Sequence, residues 1–332
     1  MRVFLVLVLI LAALTGGAWM EYQRFIATPL TLQEEPLILD VPRGTSLRAL
    51  SEDLTARGML PHPYFFMAMA YVKKDSGLIK AGEYEVRTGM TPPQLLDLLI
   101  SGKVVQRAIT LVEGWTFQQA LAAVAGDTRL VTELDEASPA EVMRRLGRPE
   151  EHPEGRLFPD TYYFSKGATD LDILRRAFET MEATLSEEWE QRADGLPLED
   201  PYQALILASI VEKETGLASE RGAIAGVFVR RMQTGMKLQT DPTVIYGLGE
   251  DFDGNLTRAH LQQDTPYNTY VHAGLPPTPI ALPGREAIHA VLHPLDGESL
   301  YFVAKGDGSH HFSATLAEHN RAVRLYQLQG SR

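Results

Sequence analysis

At 332 residues and 45 % hydrophobic content, the chain can bury the cores of two domains, which excludes a disordered protein. A formal net charge of −12 works against a polyanionic partner, since phosphate backbones are bound by clustered Lys and Arg, so nucleic acid is excluded as a partner. The absence of cysteine removes thiolate metal sites, disulfides and cysteine nucleophiles together.

From Val3 to Met20 no side chain is charged, a run long enough to cross a bilayer. Arg2 precedes it and Glu21 and Arg24 follow, a weak asymmetry that favours a cytoplasmic N-terminus with the remainder outside. A cleaved signal peptide is the rival reading. Bulky Trp19 and Met20 stand where a small-x-small cleavage site would be wanted, so the expectation is an uncleaved, single-pass anchor over residues 1–20 in the cytoplasmic (inner) membrane, then a polar linker over 21–35.

Beyond the linker one local pattern recurs three times: an apolar strand, a glycine, a hydroxyl residue and then a helical period. The copies run from Leu37-Ile38-Leu39-Asp40-Val41 to Gly44-Thr45-Ser46, from Tyr84-Glu85-Val86 to Gly89-Met90-Thr91, and from Leu111-Val112 to Gly114-Trp115-Thr116. Glycine permits the tight turn, and Ser46, Thr91 and Thr116 are placed to cap the helix that follows by accepting a free N–H. Apolar stripes such as Leu47, Leu50, Leu54 and Leu95, Leu96, Leu98, Leu99 predict the buried faces. As a pattern alone this is generic. The first copy continues into a helix to Arg57, a second helix over 64–73 and a return strand over 82–86, an order that resembles a LysM-type βααβ module, whose relatives bind N-acetylglucosamine-containing glycans. A LysM-like domain is therefore expected over 36–105.

Residues 120–200 alternate amphipathic helices with loops, interrupted by the aromatic-dense run Leu157-Phe158-Pro159-Asp160-Thr161-Tyr162-Tyr163-Phe164. Such a run beside proline is usually packing, because large apolar area is its main contribution, and Asp160 is either a turn former or a site residue. The fold class expected is α+β, with a mixed domain over 106–332 carrying the chemistry.

From Tyr202 the chain is apolar almost all round to Glu212-Lys213-Glu214, which predicts a buried helix closed by Gly216 as an αL residue. Carboxylates avoid such positions unless paired or functional. Two residues apart on a helix, Glu212 and Glu214 point about 200° apart, so they cannot serve one cleft. Glu214 continues the more apolar row, Leu207, Ile210 and Val211, and also meets the negative end of the helix dipole. Both effects raise a carboxyl pKa, as a general acid working near neutrality requires. The structural alternative for either glutamate is an ion pair with Arg221 or Arg230.

Ser219 is placed to cap a second helix that ends at Gly235, and Asp241-Pro242 reads as the cap and first residue of a short helix closed by Gly247. Gln239, Thr240 and Asp241 offer amide, hydroxyl and carboxylate groups of the kind that read sugar hydroxyls, and Tyr267-Asn268-Thr269-Tyr270 repeats that chemistry. At these residues, Ile210-Val211-Glu212-Lys213-Glu214-Thr215, Ala218-Ser219-Glu220-Arg221, Leu238-Gln239-Thr240-Asp241-Pro242-Thr243-Val244-Ile245-Tyr246-Gly247, Tyr267-Asn268-Thr269-Tyr270 and Gly274-Leu275-Pro276-Pro277, the chain resembles the endolytic murein transglycosylase family. Leu300-Tyr301-Phe302-Val303-Ala304 and His319-Asn320 extend the likeness to the C-terminus. The resemblance implies a lyase that cuts peptidoglycan glycan strands internally during wall synthesis, with Glu214 as catalytic residue. It further implies Ser219, Glu220, Gln239, Thr240, Asp241, Tyr246, Asn268 and Thr269 as substrate contacts, peptidoglycan synthases as candidate partners, and no cofactor.

Three other function classes compete. A muramidase-type hydrolase would pair Glu214 with Glu220 or Asp241 at about 5–9.5 Å. A metal hydrolase is suggested by His289 and His293, four apart on a helix, but the glutamate of a His-Glu-x-x-His motif is missing, so no metal is expected. A non-catalytic wall tether would gain nothing from a charged glutamate on a buried helix.

Overall fold

The computed structural model describes residues 1–73 and 77–328. It is α+β, with helices predominating and three two-stranded sheets among the described residues. In chain order the elements are α1 (Arg2–Ala27), β1 (Leu37–Val41), α2 (Leu47–Ala56), α3 (Pro63–Val72), β2 (Gly82–Val86), α4 (Pro92–Ser101), β3 (Arg107–Thr110), α5 (Phe117–Ala125), α6 (Pro139–Arg145) and β4 (Thr161–Phe164). Then follow α7 (Asp170–Glu190), α8 (Pro201–Glu214), α9 (Ala218–Gln233), α10 (Asp241–Leu248), α11 (Arg258–Gln262), α12 (Arg285–Leu292), β5 (Tyr301–Ala304), β6 (His310–Ser313) and α13 (Leu316–Val323). The chain divides into two compact units, Met1–Arg107 with Tyr163–Gly167, and Ala108–Tyr162 with Ala168–Arg332.

In the first unit β1 and β2 pair antiparallel, with Leu37 opposite Val86 and Val41 opposite Gly82, and α2 and α3 lie between them in sequence. Leu39, Val41, Tyr84 and Val86 turn to one side of this ribbon and meet Leu50, Leu54, Phe66, Leu95, Leu96 and Leu99. Alternation of the strand and the i, i+3/i+4 rows of the helices supply that face. Ser46 accepts the Ala49 N–H at 3.2 Å, and Gln94 accepts the Thr91 N–H at 2.9 Å, so both expected helix starts are chemically closed.

The N-terminal helix departs from expectation. Val3–Ala27 is the one helix among the described residues long and apolar enough to cross a membrane, but it does not stop at residue 20. Residues 21–27 continue it, and Phe25 and Leu30 are buried in the first unit's core. The Phe25 ring lies 5.5 Å from Phe65 and stacks on His62, and Leu30 N–H bonds the Met90 carbonyl at 2.8 Å. The polar composition of 21–35 reads as a linker, but Tyr22, Phe25 and Ile26 give its first turns a helix face that the core buries.

The second unit is organised around α8, whose residues 204–211 are all buried. Helices α7, α9, α10 and α12 pack round it, contributing Met181, Ile224, Phe228, Ile288 and Val291. Ser209, a polar residue in the middle of this helix, accepts the Ile280 N–H at 3.0 Å and so is satisfied. β5 and β6 form an antiparallel hairpin, Tyr301 opposite Ser313 and Ala304 opposite His310. Among the aromatic run, Leu157, Tyr162 and Phe164 are buried and Tyr163 is exposed, while Asp160 Oδ1 takes the Thr161 N–H at 2.6 Å as a turn former.

The third glycine unit follows β3, which lies slightly earlier than the Leu111-Val112 reading, and Thr116 and Gln119 form a reciprocal cap. A fourth copy went unread: β4, Gly167 at φ +88°, then Thr169, whose side chain and that of Asp172 cap α7 reciprocally. Helix ends near the chemistry also differ. Thr215 leaves α8 in extended conformation (φ −148°, ψ 134°), so the helix stops without an αL glycine at 216, and α9 starts at Ala218 with Ser219 inside its first turn rather than capping it. Gly235 does end α9, at φ +69°. α10 starts one residue early, at Asp241, and runs through Gly247 to stop at Gly249.

Phe25→Ala is expected to destabilise the first unit by about 3 kcal/mol, the low end for a buried phenylalanine. The readout is hydrogen-exchange protection of β1 and β2 in the full-length protein; unchanged protection would mean that residues 21–30 are a free spacer after all.

Candidate active site

The last residue of α8 carries the central group. Glu214 ends an apolar helix whose other carboxylate, Glu212, faces elsewhere, and the environments of the two explain their separate fates. Glu212 Oε2 accepts the Gly284 N–H at 2.9 Å and Oε1 lies 3.6 Å from Arg221 Nη2. Burial pushes its pKa up, with the Gly284 N–H opposing. Gly284 precedes α12, so Glu212 fastens the N-terminus of that helix; a Cβ there would lie 2.0 Å from Glu113 Oε1. Arg221 also meets Glu286 and Glu113, and the ion-pair alternative thus describes Glu212.

Glu214 is partly exposed as a residue, but its carboxyl is enclosed by protein. Desolvation pushes it up to about 6, with the Thr240 hydroxyl opposing and the Asp241 carboxylate adding to the shift. Thr240 Oγ1 donates to Glu214 Oε1. This explains the shifted start of α10: Thr240 occupies the cap position, but its hydroxyl goes to the carboxyl and caps nothing. Thr240 is itself held by Thr269, whose Oγ1 accepts the Thr240 N–H at 3.1 Å, and by Thr243, whose Oγ1 donates to the Thr240 carbonyl at 2.8 Å. The two hydroxyls of Thr243 and Thr269 bond each other at 2.9 Å, and all three threonines are buried. Gln239, just before them, sits at φ +49°, a strained backbone for a non-glycine residue.

Glu214 opens on a cleft of about 430 Å³ lined by Arg231, Gln239, Asp241, Tyr270, Tyr301, Phe302, His310 and His319. Tyr270 donates to Asp241 Oδ1 at 2.6 Å, which places the tyrosine on the same wall. Arg231 is buried, donating from Nε to the Leu300 carbonyl at 2.7 Å and from Nη1 to the Leu238 carbonyl at 2.5 Å, with its guanidinium 5.3 Å from the Tyr301 ring. The His319 ring stacks on the other aromatic neighbour of this wall, Tyr301, at 5.3 Å. The cleft therefore offers one enclosed carboxylic acid, one exposed carboxylate, a fixed cation and an aromatic wall.

The expected contacts divide. Gln239 and Asp241 line the cleft with Glu214, and Thr240 and Thr269 stand directly behind it. Glu220 lies beside the cleft and is bonded to His310. Ser219, Tyr246 and Asn268 are not among its lining residues: Ser219 borders a separate depression with Arg221, Tyr246 donates to Glu154 Oε2 at 3.0 Å, and Asn268 bonds the His260 and Gln263 carbonyls at 3.1 and 2.8 Å. Arg231, Tyr301, His310 and His319 were not singled out from sequence as site residues. Tyr301 and His319 stand in strings that carry the family likeness and His310 in a histidine-rich stretch, signals that say nothing of which helix they face, and Arg231 carried no signal.

The histidine pair of α12 belongs to another cluster. Glu188, His289 and His293 bring ligand-type atoms within 4.8 Å, but each already has a protein partner. Glu188 accepts from Arg285 and meets His289 Nδ1, both at 2.8 Å, and His293 Nε2 meets the Gln191 carbonyl at 2.8 Å. Despite desolvation, those bonds hold Glu188 below its ordinary range, as expected of an ion-pair cluster that fastens α12 to α7.

An enclosed carboxyl beside a polar, aromatic-walled cleft is an arrangement able to give a proton to a bound polar ligand. The chain belongs to the YceG-like family, whose model matches residues 39–325. It is 31 % identical over 329 residues to the endolytic murein transglycosylase of Bacillus subtilis (strain 168), covering 94 % of this chain and 90 % of that one. The endolytic murein transglycosylase of Streptococcus pneumoniae serotype 2 (strain D39 / NCTC 7466) is 26 % identical, across 94 % of this chain and 63 % of the relative. A crystal structure of a YceG-like protein from Listeria monocytogenes superposes with a TM-score of 0.54 at 29 % identity, covering 87 % of this chain and 99 % of that one.

A carboxyl raised from 4.5 to about 6 means that the native state binds this proton more tightly than the unfolded chain does. Stability from this group is therefore present below about 4.5, falls as pH rises through about 6, and the penalty is complete above that. Glu214→Gln relieves it. The variant is expected to melt higher than the parent at pH 7.5, by up to about 2 kcal/mol of stability, and to lose that advantage at pH 4. Melting curves at the two pH values check this; an advantage equal at both would mean that the carboxyl is not desolvated.

Proposed function

We propose that this protein is an endolytic peptidoglycan lytic transglycosylase, a lyase that cleaves the bond between N-acetylmuramic acid and N-acetylglucosamine within glycan strands and leaves 1,6-anhydro ends. The observation that carries the reading is the enclosure of Glu214, which keeps one carboxylic acid protonated closer to neutrality than an exposed carboxylate. Glu214 delivers its proton to the bridging oxygen as the C1–O bond breaks. The substrate's own C6 hydroxyl then closes on C1, so neither a water nor a second nucleophilic carboxylate is required. In the simplest scheme the hydroxyl proton returns to the Glu214 carboxylate. Thr240 holds one carboxyl oxygen, leaving Oε2 to carry the proton, and the names of the relatives support the substrate class.

The apolar helix Val3–Ala27 supports a single-pass anchor in the inner membrane, with the cleft on the extracytoplasmic side. The βααβ order of the first unit supports a LysM-like, glycan-binding role over 36–105. Cutting strands near the site of their synthesis would help terminate elongation, with peptidoglycan synthases as partners. Muramidase-type hydrolysis is the second reading, and it rests on Asp241, the one carboxylate besides Glu214 among the residues lining the cleft.

Digested peptidoglycan analysed by mass spectrometry separates the two, because anhydro and reducing-end products differ by one water. Anhydro products are expected. Glu214→Gln is expected to lower kcat by at least about 10²- to 10⁴-fold while the fold is retained. The rate of the unaltered protein should fall as pH rises through about 6, where the acid loses its proton. Reducing-end products, or an active Glu214→Gln, would overturn the lytic reading.

A further inference from the structure

The β5–β6 hairpin brings into the cleft a group that a single-acid scheme leaves idle. Glu220, in the first turn of α9, accepts the His310 backbone N–H at 3.0 Å and contacts the His310 ring Nδ1 at 2.7 Å. Both side chains are largely enclosed, 15 % and 11 % exposed. The two-point grip fixes the first residue of β6 and the plane of its ring together, and Phe302 meets that ring edge-on at 5.5 Å. Against its own desolvation, Glu220 is held below the ordinary carboxylate range by these bonds, so it is an anion and the ring proton facing it resides on Nδ1. Nε2 is the free nitrogen. It makes no hydrogen bond among the described residues, and His310 lines the same cleft as Glu214, Arg231 and Asp241. An imidazole anchored by an anion at one nitrogen and open at the other is the arrangement in which histidine serves as a general base.

Glu214, by contrast, has one free oxygen. Thr240 engages Oε1, so in the simplest scheme Oε2 alone must first protonate the bridging oxygen and then, once the leaving sugar has departed, collect the proton of the C6 hydroxyl that closes on the vacated face of C1. We propose that Glu214 first gives its proton to the leaving oxygen and that His310, oriented by Glu220, then takes the proton of the C6 hydroxyl as it closes on C1. This deepens the lytic reading and rests on it. The C1–O bond to N-acetylglucosamine breaks and the C1–O6 bond forms. The leaving oxygen gains the Glu214 proton and Nε2 gains the O6 proton. Carboxylate and imidazolium are left facing one cleft, and the imidazolium proton passes back to Glu214 before the next turnover, so no water and no redox partner is consumed. In this scheme Glu220 is a positioning residue and makes no contact with substrate.

The test uses full-length protein in detergent with peptidoglycan strands, reading kcat, KM, product mass and melting temperature. His310→Ala is expected to lower kcat by about 10²-fold or more with KM little changed, and added imidazole is expected to restore part of the loss. Glu220→Gln, which preserves the shape of the pair, is expected to cost about tenfold in kcat and to add little on top of His310→Ala, the non-additivity of residues acting as a unit. Should His310→Ala melt early, Glu220→Gln alone carries the comparison of kcat with KM. A His310→Ala protein with near-parental kcat, or a loss confined to KM and insensitive to imidazole, overturns the proposal and leaves Glu214 acting twice. Reducing-end products from unaltered protein would instead overturn the lytic reading on which it stands.

Discussion

The structure turns on the cost of putting a carboxyl group at the end of a helix with almost no polar surface. Every residue of α8 from 204 to 211 is buried, so the row behind Glu214 offers its carboxyl no water, and the C-terminal dipole of the helix is of the wrong sign to help. The group can be kept only by remaining protonated or by being bonded. Thr240 supplies the bond, and the raised pKa supplies the rest. The same packing leaves a carboxyl that holds its proton to higher pH than an exposed one does.

That single contact reaches further into the second unit than its size suggests. Thr240 can give its hydroxyl to Glu214 only because Thr269 and Thr243 take up its backbone groups, and these two arrive from the 265–270 loop and from α10. Asn268, one residue before Thr269, is spent on the His260 and Gln263 carbonyls and so sets the course of that loop. Residues that look like a sugar-binding set are partly a scaffold for one carboxyl. The positive φ of Gln239 fits the same view, since a strained residue next to the acid survives only where its surroundings over-determine it.

Local chemistry was legible in the sequence and long-range pairing was not. The glycine turns and the caps at Ser46, Thr91 and Thr116 could be read because turn and cap act within four residues of one another. The same logic would have found Thr169, had the preceding Tyr162-Tyr163-Phe164 been taken as a strand as well as an aromatic cluster. Glu214 stood out from Glu212 by the apolar row behind it, a helix-periodicity argument that needs no tertiary information. The boundaries of α10 were misread because Thr240 has two possible duties, and only the arrival of α8 decides between them. Glu220 and His310 lie on different elements far apart in the chain, so the expectation that Glu220 faces substrate could not anticipate that its carboxylate is already taken.

The exit of α1 from its apolar span has a mechanical consequence. A linker would let the first unit tumble freely above a bilayer, whereas here the last two turns of the helix run straight into the core, with Phe25 wedged against His62 and Phe65. Seven helical residues beyond position 20 amount to about 10 Å of stiff shaft. In a bilayer, a tilt of the apolar stretch would pass through that shaft to the β1–β2 ribbon and would not be absorbed by a loose tether. The helix thus acts as a lever arm that ties the direction of its apolar stretch to the orientation of that ribbon.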